Sequence, residues 1–237
     1  MNTNTLDIEE HLRAGEIAIS GRLVDASNAT LFGTSTFHDS AISVIYKPIA
    51  GERPLWDFAD GNLASRERAS FLISELAQWH VVPVTVLTDG PFGQGMVQQW
   101  IDIDVSVDLA SFFREDDLRL RKIALFDAVV NNTDRKIGHL LPTKNGDVFG
   151  CDHGVTFHSE DKLRTVLWQW SDQPFNQQES TELTSLHLKL KNRDNEIASL
   201  ISEEEYEALL FRLTRLITTK KFPSPNEDWP AVPWPPF

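Results

Sequence analysis

Val129-Val130-Asn131-Asn132-Thr133-Asp134-Arg135-Lys136-Ile137-Gly138-His139, with Cys151-Asp152-His153-Gly154 downstream, is the stretch on which the reading of this chain turns. An Asp-Arg pair comes directly after an apolar helical run. A second Asp follows a short polar hairpin and stands two residues before a glycine. Two acidic groups placed this way suit the handling of phosphate and a divalent metal. One carboxylate faces the attacking group, and the other, in an Asp-x-Gly element, holds the metal. On this reading the chain binds ATP.

His139 is the fifth residue after Asp134. Phosphoryl-transfer loops of this spacing carry Asn there as a metal ligand. A neutral imidazole also binds metal, whereas magnesium prefers oxygen. The expectation is therefore magnesium or manganese at Asp152 and His139, or a single metal, or no turnover. Asp152 has an alternative reading as a turn residue capping its own backbone. The glycine at Gly154 leaves room for phosphate and metal to approach.

Working outward, Asn145-Gly146 marks a two-residue hairpin between Leu140-Leu141 and Val148-Phe149, placed between the two aspartates. Residues 119–130 read as the helix that feeds the Asp134 loop. Upstream, Leu23 to Phe37 reads as two short strands around a small-residue turn. Ala41 to Lys47 is a strand rich in β-branched and aromatic residues. Pro48 to Asn62 is a loop in which Leu55-Trp56-Asp57-Phe58 is an apolar anchor. Ser65 to Trp79 is a helix, with Ala69, Leu72, Ile73, Leu76 and Ala77 on one buried face. Residues 81–87 and 95–103 read as strands. Residues 180–190 and 202–218 read as helices, and the Pro/Trp-rich tail 222–237 as extended chain packed along the body. The class is α+β: a sheet-rich lobe over 1–102 and a mostly helical lobe over 103–237.

Lys47 ends an apolar strand, where its ammonium can meet nucleotide phosphates or snorkel to water. Glu67, in the first turn of the Ser65 helix, is a partner for it; Glu75 is the alternative. On a helical wheel Glu67 lies opposite the apolar stripe. Either the helix makes contacts on two faces or Glu67 is solvated. No glycine-rich phosphate loop is present. The turn at Ser27, Asn28, Ala29 and Thr30 takes its place, offering hydroxyls and backbone N–H groups. Cys151 reads as a small buried residue rather than a nucleophile, and His80 and His158 as structural.

The net charge of −13 disfavours nucleic acid and anionic membranes as partners. One cysteine excludes an intramolecular disulfide and a thiolate zinc cluster. Residues 1–10 carry no apolar signal core, and no apolar run approaches the roughly 20 residues that span a bilayer. The cytoplasm is the expected location.

These residues carry a resemblance. Ser27-Asn28-Ala29-Thr30, Tyr46-Lys47-Pro48, Glu52-Arg53-Pro54-Leu55-Trp56-Asp57-Phe58, Arg66-Glu67 and Val82-Pro83 form its first part. Asn132-Thr133-Asp134-Arg135-Lys136, Gly138-His139-Leu140-Leu141, Asp152-His153-Gly154 and Pro233-Trp234-Pro235-Pro236-Phe237 complete it. Through most of its length the chain resembles the actinobacterial proteins classed with phosphatidylinositol 3- and 4-kinases, a branch of the atypical kinase-like fold. Type II phosphatidylinositol 4-kinases look similar around 67–83 and 132–135. The resemblance implies ATP as cofactor, with Lys47 on phosphate, Glu67 paired to it, Asp134 catalytic and Asp152 on metal. Gln98, Gln99, Trp100 and Ile101 would lie at the hinge beside adenine. Lys136, in the catalytic loop, and His139 depart from the lipid-kinase pattern.

The leading expectation is an ATP-dependent phosphotransferase acting on a protein or small-molecule hydroxyl, with Asp134 and Lys136 as catalytic residues. Two others stay open. One is nucleotidyl (AMP) transfer on the same fold. The other is a pseudokinase scaffold, which an exposed aromatic tail would support.

Overall fold

The computed structural model describes residues 3–23, 28–53, 55–58 and 61–237. A five-stranded antiparallel sheet occupies the first half. Its strands are β1 (Glu16–Arg22), β2 (Leu31–Phe37), β3 (Ser40–Pro48), β4 (Thr85–Gly90) and β5 (Gly93–Gln99), in the order β1-β2-β3-β5-β4. Strand alternation separates two faces. Val44, Tyr46, Val86 and Val97 are buried on one. Lys47 pairs with Met96 and Ile45 with Gln98 on the other.

A helix not expected from the sequence, α1 (Thr3–Ala14), covers the first face. Leu12 is fully buried, and the Ser35 hydroxyl donates to His11 O. The second face meets α2 (Leu63–Leu76), which is buried along its whole length from Ala64 to Glu75. The helix-wheel conflict over Glu67 is resolved by paired charges on every side. Arg66 meets Glu205, Glu67 meets Lys47, and Arg68 meets both Glu9 and Glu196. A buried ion survives only with such partners. Asn62 caps the helix through Ser65 N at 2.7 Å, and the Glu52 carboxylate takes Leu63 N and Ala64 N, both at 2.8 Å. Three of the helix's four free amides are thereby satisfied.

The second half holds α3 (Leu109–Phe112), α4 (Leu118–Val130), the hairpin β6 (Leu140–Pro142) and β7 (Val148–Gly150), then α5 (Gln177–Lys191), α6 (Ile197–Leu200) and α7 (Glu203–Thr219). The hairpin lies where Asn145-Gly146 placed it, with Gly146 at φ +90°. The strand expected over 81–87 begins at Thr85, because residues 77–84 cross from α2 back to the sheet edge. Capping boxes at Asn176 and Ser202 start α5 and α7, each contributing about 1 kcal/mol.

The tail past Lys221 forms no helix or strand, but it turns at residues 227–228 and bends beyond them rather than running extended as expected, and its backbone pins it. Ile137 N donates to Pro236 O at 2.8 Å, and Trp168 Nε1 donates to Ala231 O at 2.8 Å. Its side chains are less buried than expected: Trp234 is 89% exposed. The apolar anchor at 55–58 is likewise divided. Phe58 is buried against Arg66 and His158, while Trp56 is 83% exposed beside Lys162.

Candidate active site

The site lies between the sheet and α4. Strand β3 brings Lys47 to the cleft, and its Nζ donates to Glu67 Oε1 at 2.7 Å and to Asp152 Oδ1 at 2.8 Å. Burial alone would pull the Lys47 ammonium down. The Asp152 and Glu67 carboxylates overcome that and hold it above its usual value. Lys47 is a bridging lysine, not one snorkelling to water. Glu75, the alternative partner, instead meets His80.

Glu67 is itself fixed at both oxygens, since Oε2 accepts His153 N at 2.9 Å. Asp152 sits in the left-handed region at φ +61°, which Asp tolerates and bulkier residues do not. The Lys47 ammonium holds its carboxyl well below the usual range. Its side chain remains 52% exposed, open to a ligand from the cleft. Gly154 packs on the first turn of α2, where an added Cβ would meet Leu63 Cβ at 3.1 Å.

Asp134 lies in the loop after α4. Asn131 ends that helix with φ +52°, and Asn132 Oδ1 accepts Asp134 N at 3.0 Å. Lys136 Nζ is 3.3 Å from Asp134 Oδ2. Burial raises the Asp134 carboxyl above its ordinary value, against the pull of Lys136. A carboxylate so tuned is a better proton acceptor than a solvated one.

His139 stands with Nε2 3.6 Å from Asp152 Oδ2, and its Nδ1 accepts Lys136 N at 3.4 Å. Burial lowers the ring to about 4, so it is neutral at pH 7. With Nδ1 accepting, the proton of the neutral ring sits on Nε2 and faces Asp152. A metal at Nε2 requires the other tautomer and loss of the Lys136 contact. Among the described residues no three His, Cys, Asp or Glu side chains converge as a metal shell; Asp152 alone offers carboxylate oxygen to the cleft, which suits a hard divalent cation whose shell nucleotide phosphates complete. Asp152 would hold the ion, with His139 joining only after that tautomer change.

The remaining expected residues lie close by or farther along the sheet. Ser27 lies outside the described residues. Asn28 accepts Arg53 N at 3.0 Å and lines a small cavity with Lys47, Glu52, Glu67 and Asp152. Gln98 and Gln99 end β5. Trp100 leaves the sheet with its ring edge-on to Phe32 at 5.0 Å, and Ile101 follows it. Gln98 shares the Lys47 face of the sheet, whereas Gln99, paired with Val44, lies on the opposite face.

The sequence reading left one cluster unassembled. Asp127, fully buried in α4, accepts Arg135 Nε at 3.0 Å and Nη2 at 2.9 Å, together with Asn132 Nδ2 at 2.9 Å. Arg135 then reaches Cys151 O at 3.0 Å and His153 Nε2 at 2.7 Å, flanking Asp152 on both sides. Burial drives His153 well below its ordinary value, leaving a neutral ring that accepts from Arg135. Gly150 makes room for this guanidinium, since an added Cβ would lie 2.9 Å from Nη1. A signal was present in the sequence: one carboxylate, Asp127, inside the apolar run 123–130 demands a buried cation.

Protein Rv2133c of Mycobacterium tuberculosis is 37% identical over 271 aligned positions, spanning 98% of this chain and 97% of that protein. This chain belongs to its family. No family model matches the sequence. Among solved structures, the Golgi casein kinase with Mn/ADP bound superposes with a TM-score of 0.61 at 14% identity, over 91% of this chain and 75% of that one. Hydra Fam20 with sugar gives 0.58 at 12% identity, over 92% and 88%. The fold is therefore kinase-like, two-lobed and α+β. Among the described residues no helix is long and apolar enough to cross a membrane.

Proposed function

We propose that the chain is an ATP-dependent, atypical kinase-like phosphotransferase acting on a protein or small-molecule hydroxyl. The bridge Glu67–Lys47–Asp152 is the observation that carries this reading. It joins the sheet, α2 and the Asp-x-Gly element at one point, with Asp134 on the loop that follows α4. In the assigned roles, Lys47 binds phosphate and Glu67 holds Lys47 in place. Asp152 holds Mg2+ or Mn2+, and Asp134 orients the acceptor hydroxyl or takes its proton. Lys136 balances charge beside Asp134. The metal, when bound, neutralises charge developing on the transferred phosphoryl group.

Gln98 to Ile101 form the base end of the cleft, and the lobes divide near 102/103. The phosphatidylinositol 3-/4-kinase likeness of the motifs supports the site roles. An inositol lipid is the less favoured acceptor, because a net charge of −13 opposes an anionic surface. The cytoplasm is the proposed location. The exposed Trp234 side chain favours one second reading, a nucleotide-binding scaffold that presents its tail to a partner.

The test supplies ATP labelled at the γ- or the α-phosphate, with Mg2+ or Mn2+, to wild type and Asp152→Ala, with and without cell extract. γ-Label transferred by wild type and lost in the variant supports the kinase. α-Label instead means nucleotidyl transfer. Label moved equally by the variant overturns the assignment of Asp152, and nucleotide binding without transfer leaves the scaffold.

A further inference from the structure

Four residues form one row across the sheet on the Lys47 face. Phe32 stands opposite Ile45, Ile45 opposite Gln98, and Gln98 opposite Thr85. The Lys47–Met96 pair is two residues along β3, about 7 Å away at strand rise. The row is therefore apolar at Phe32 and Ile45 and polar at Gln98 and Thr85. A flat heterocycle needs this pattern, with apolar contact for its faces and one fixed polar group at its edge.

The polar end has a defined sense. The Thr85 hydroxyl donates to Pro83 O at 2.8 Å, a carbonyl that can only accept. Its hydrogen is thereby committed, so Thr85 Oγ1 can only accept from Gln98. Gln98 Nε2 donates to it at 2.8 Å. The amide cannot turn over without setting two oxygen acceptors against each other. Its other end, Oε1, has no hydrogen bond among the described residues. It keeps a small solvent-accessible edge, although Gln98 is only 5% exposed.

We propose that Gln98 Oε1, oriented by Thr85 and Pro83, reads the six-position of the bound purine and selects an exocyclic amine over a carbonyl. The inference rests on the nucleotide reading above and deepens it. Adenine offers an N–H donor at that position, whereas guanine and hypoxanthine offer an acceptor. A 6-oxo purine would face an acceptor that cannot rotate away, and an unmatched polar pair of this kind costs roughly ten-fold or more in affinity. Gln98 is the specificity residue and Thr85 its positioning residue.

The experiment is displacement of a ribose-labelled fluorescent ATP by ATP and by ITP, which carries a carbonyl at the six-position and a proton on N1, so the change of the ratio in the variants isolates the contribution of Gln98. Wild type should favour ATP by about ten-fold or more. Thr85→Val keeps the side-chain shape but frees the amide, so it can offer Nε2 to a 6-oxo base. The preference should then fall to about three-fold or less, while the fluorescent nucleotide still binds. Gln98→Met, which removes the acceptor, should bring the ratio near unity. Equal displacement in wild type overturns the proposal without any variant, as does a ratio unchanged in both variants. If wild type fails to bind the fluorescent nucleotide with Mg2+ or Mn2+, the nucleotide reading falls and this inference falls with it. Binding without discrimination removes only the role of Gln98.

Discussion

Replacing Arg135 by methionine is the sharpest test of how the site is held. Arg135 and Asp127 are both fully buried at the side chain. The substitution removes the three bonds to Asp127 together with those to Cys151 O and His153 Nε2. The large effect comes from what remains, a carboxylate stranded in an apolar helix. Breaking such a pair on one side costs about 3–5 kcal/mol, a large share of the roughly 5–15 kcal/mol that holds a domain together. At about 2–4 °C per kcal/mol for a chain of this size, the melting midpoint should fall by roughly 6–20 °C. Urea denaturation of Arg135→Met, Asp127→Leu and the double variant separates the pair from its surroundings. With both charges gone no charge is stranded, so the double variant should cost well under the sum of the singles. Some cost persists, because Asn132 Nδ2 and Thr165 Oγ1 also lose Asp127. Nucleotide affinity should fall too, since Arg135 braces both neighbours of Asp152. A single-variant cost under about 1 kcal/mol, or an additive double, would refute the reasoning.

Glu67→Gln keeps the shape at Lys47 but loses the charge-assisted bond, and phosphoryl transfer should drop about 10- to 100-fold with little change in melting. Unchanged turnover would remove Glu67 from the site. For Cys151, burial pushes the thiol up to about 12, so alkylation of the folded protein should keep accelerating from pH 8 to beyond 10. The unfolded chain should instead level off near the ordinary thiol value, and identical profiles would show that Cys151 is not shielded. Gly150→Ala should cost about 1–3 kcal/mol by urea titration, because its Cβ meets the Arg135 guanidinium, and a neutral result would mean that the loop shifts freely.

How far the sequence exposed this arrangement depended on the range of each signal. Asp134, Asp152, Lys47 and Glu67 stood out because each sits at a local marker: a helix end, an Asp-x-Gly turn, a strand end, a first helical turn. The Asn145-Gly146 hairpin was legible for the same reason. Helix α1 was not, because its acidic, polar run carries little periodic apolar signal; its anchors are Leu12 and the contact to Ser35 across the chain. The wheel left Glu67 between two readings, because an apolar stripe says nothing of a second face held by paired charges. Helix α2 is buried beyond its apolar stripe because Arg66 and Arg68 pair with carboxylates as distant in sequence as Glu9, Glu196 and Glu205. The roles of Arg135 and His153 were equally hidden. Both depend on the hairpin folding back so that Cys151 O meets a guanidinium sixteen residues upstream.

The same contacts say how the site would answer a nucleotide. Lys47 is shared between two carboxylates that differ in freedom. Glu67 is buried and accepts from both Lys47 and His153 N, so it has nowhere to go. Asp152 is half-exposed and receives from the protein chiefly the lysine itself. A divalent ion arriving with phosphates would compete for Asp152, not for Glu67. Lys47 in this structure thus supplies the positive charge that a metal would bring. Exchange at Asp152 would release the ammonium toward the phosphates while Glu67 keeps its aim. Charge in the cluster stays balanced through the exchange, because the incoming phosphates carry the negative charge that Lys47 then meets. Three groups would thereby serve binding: Glu67 fixed by burial, Asp152 set by a left-handed turn, and Lys47 free to change partner.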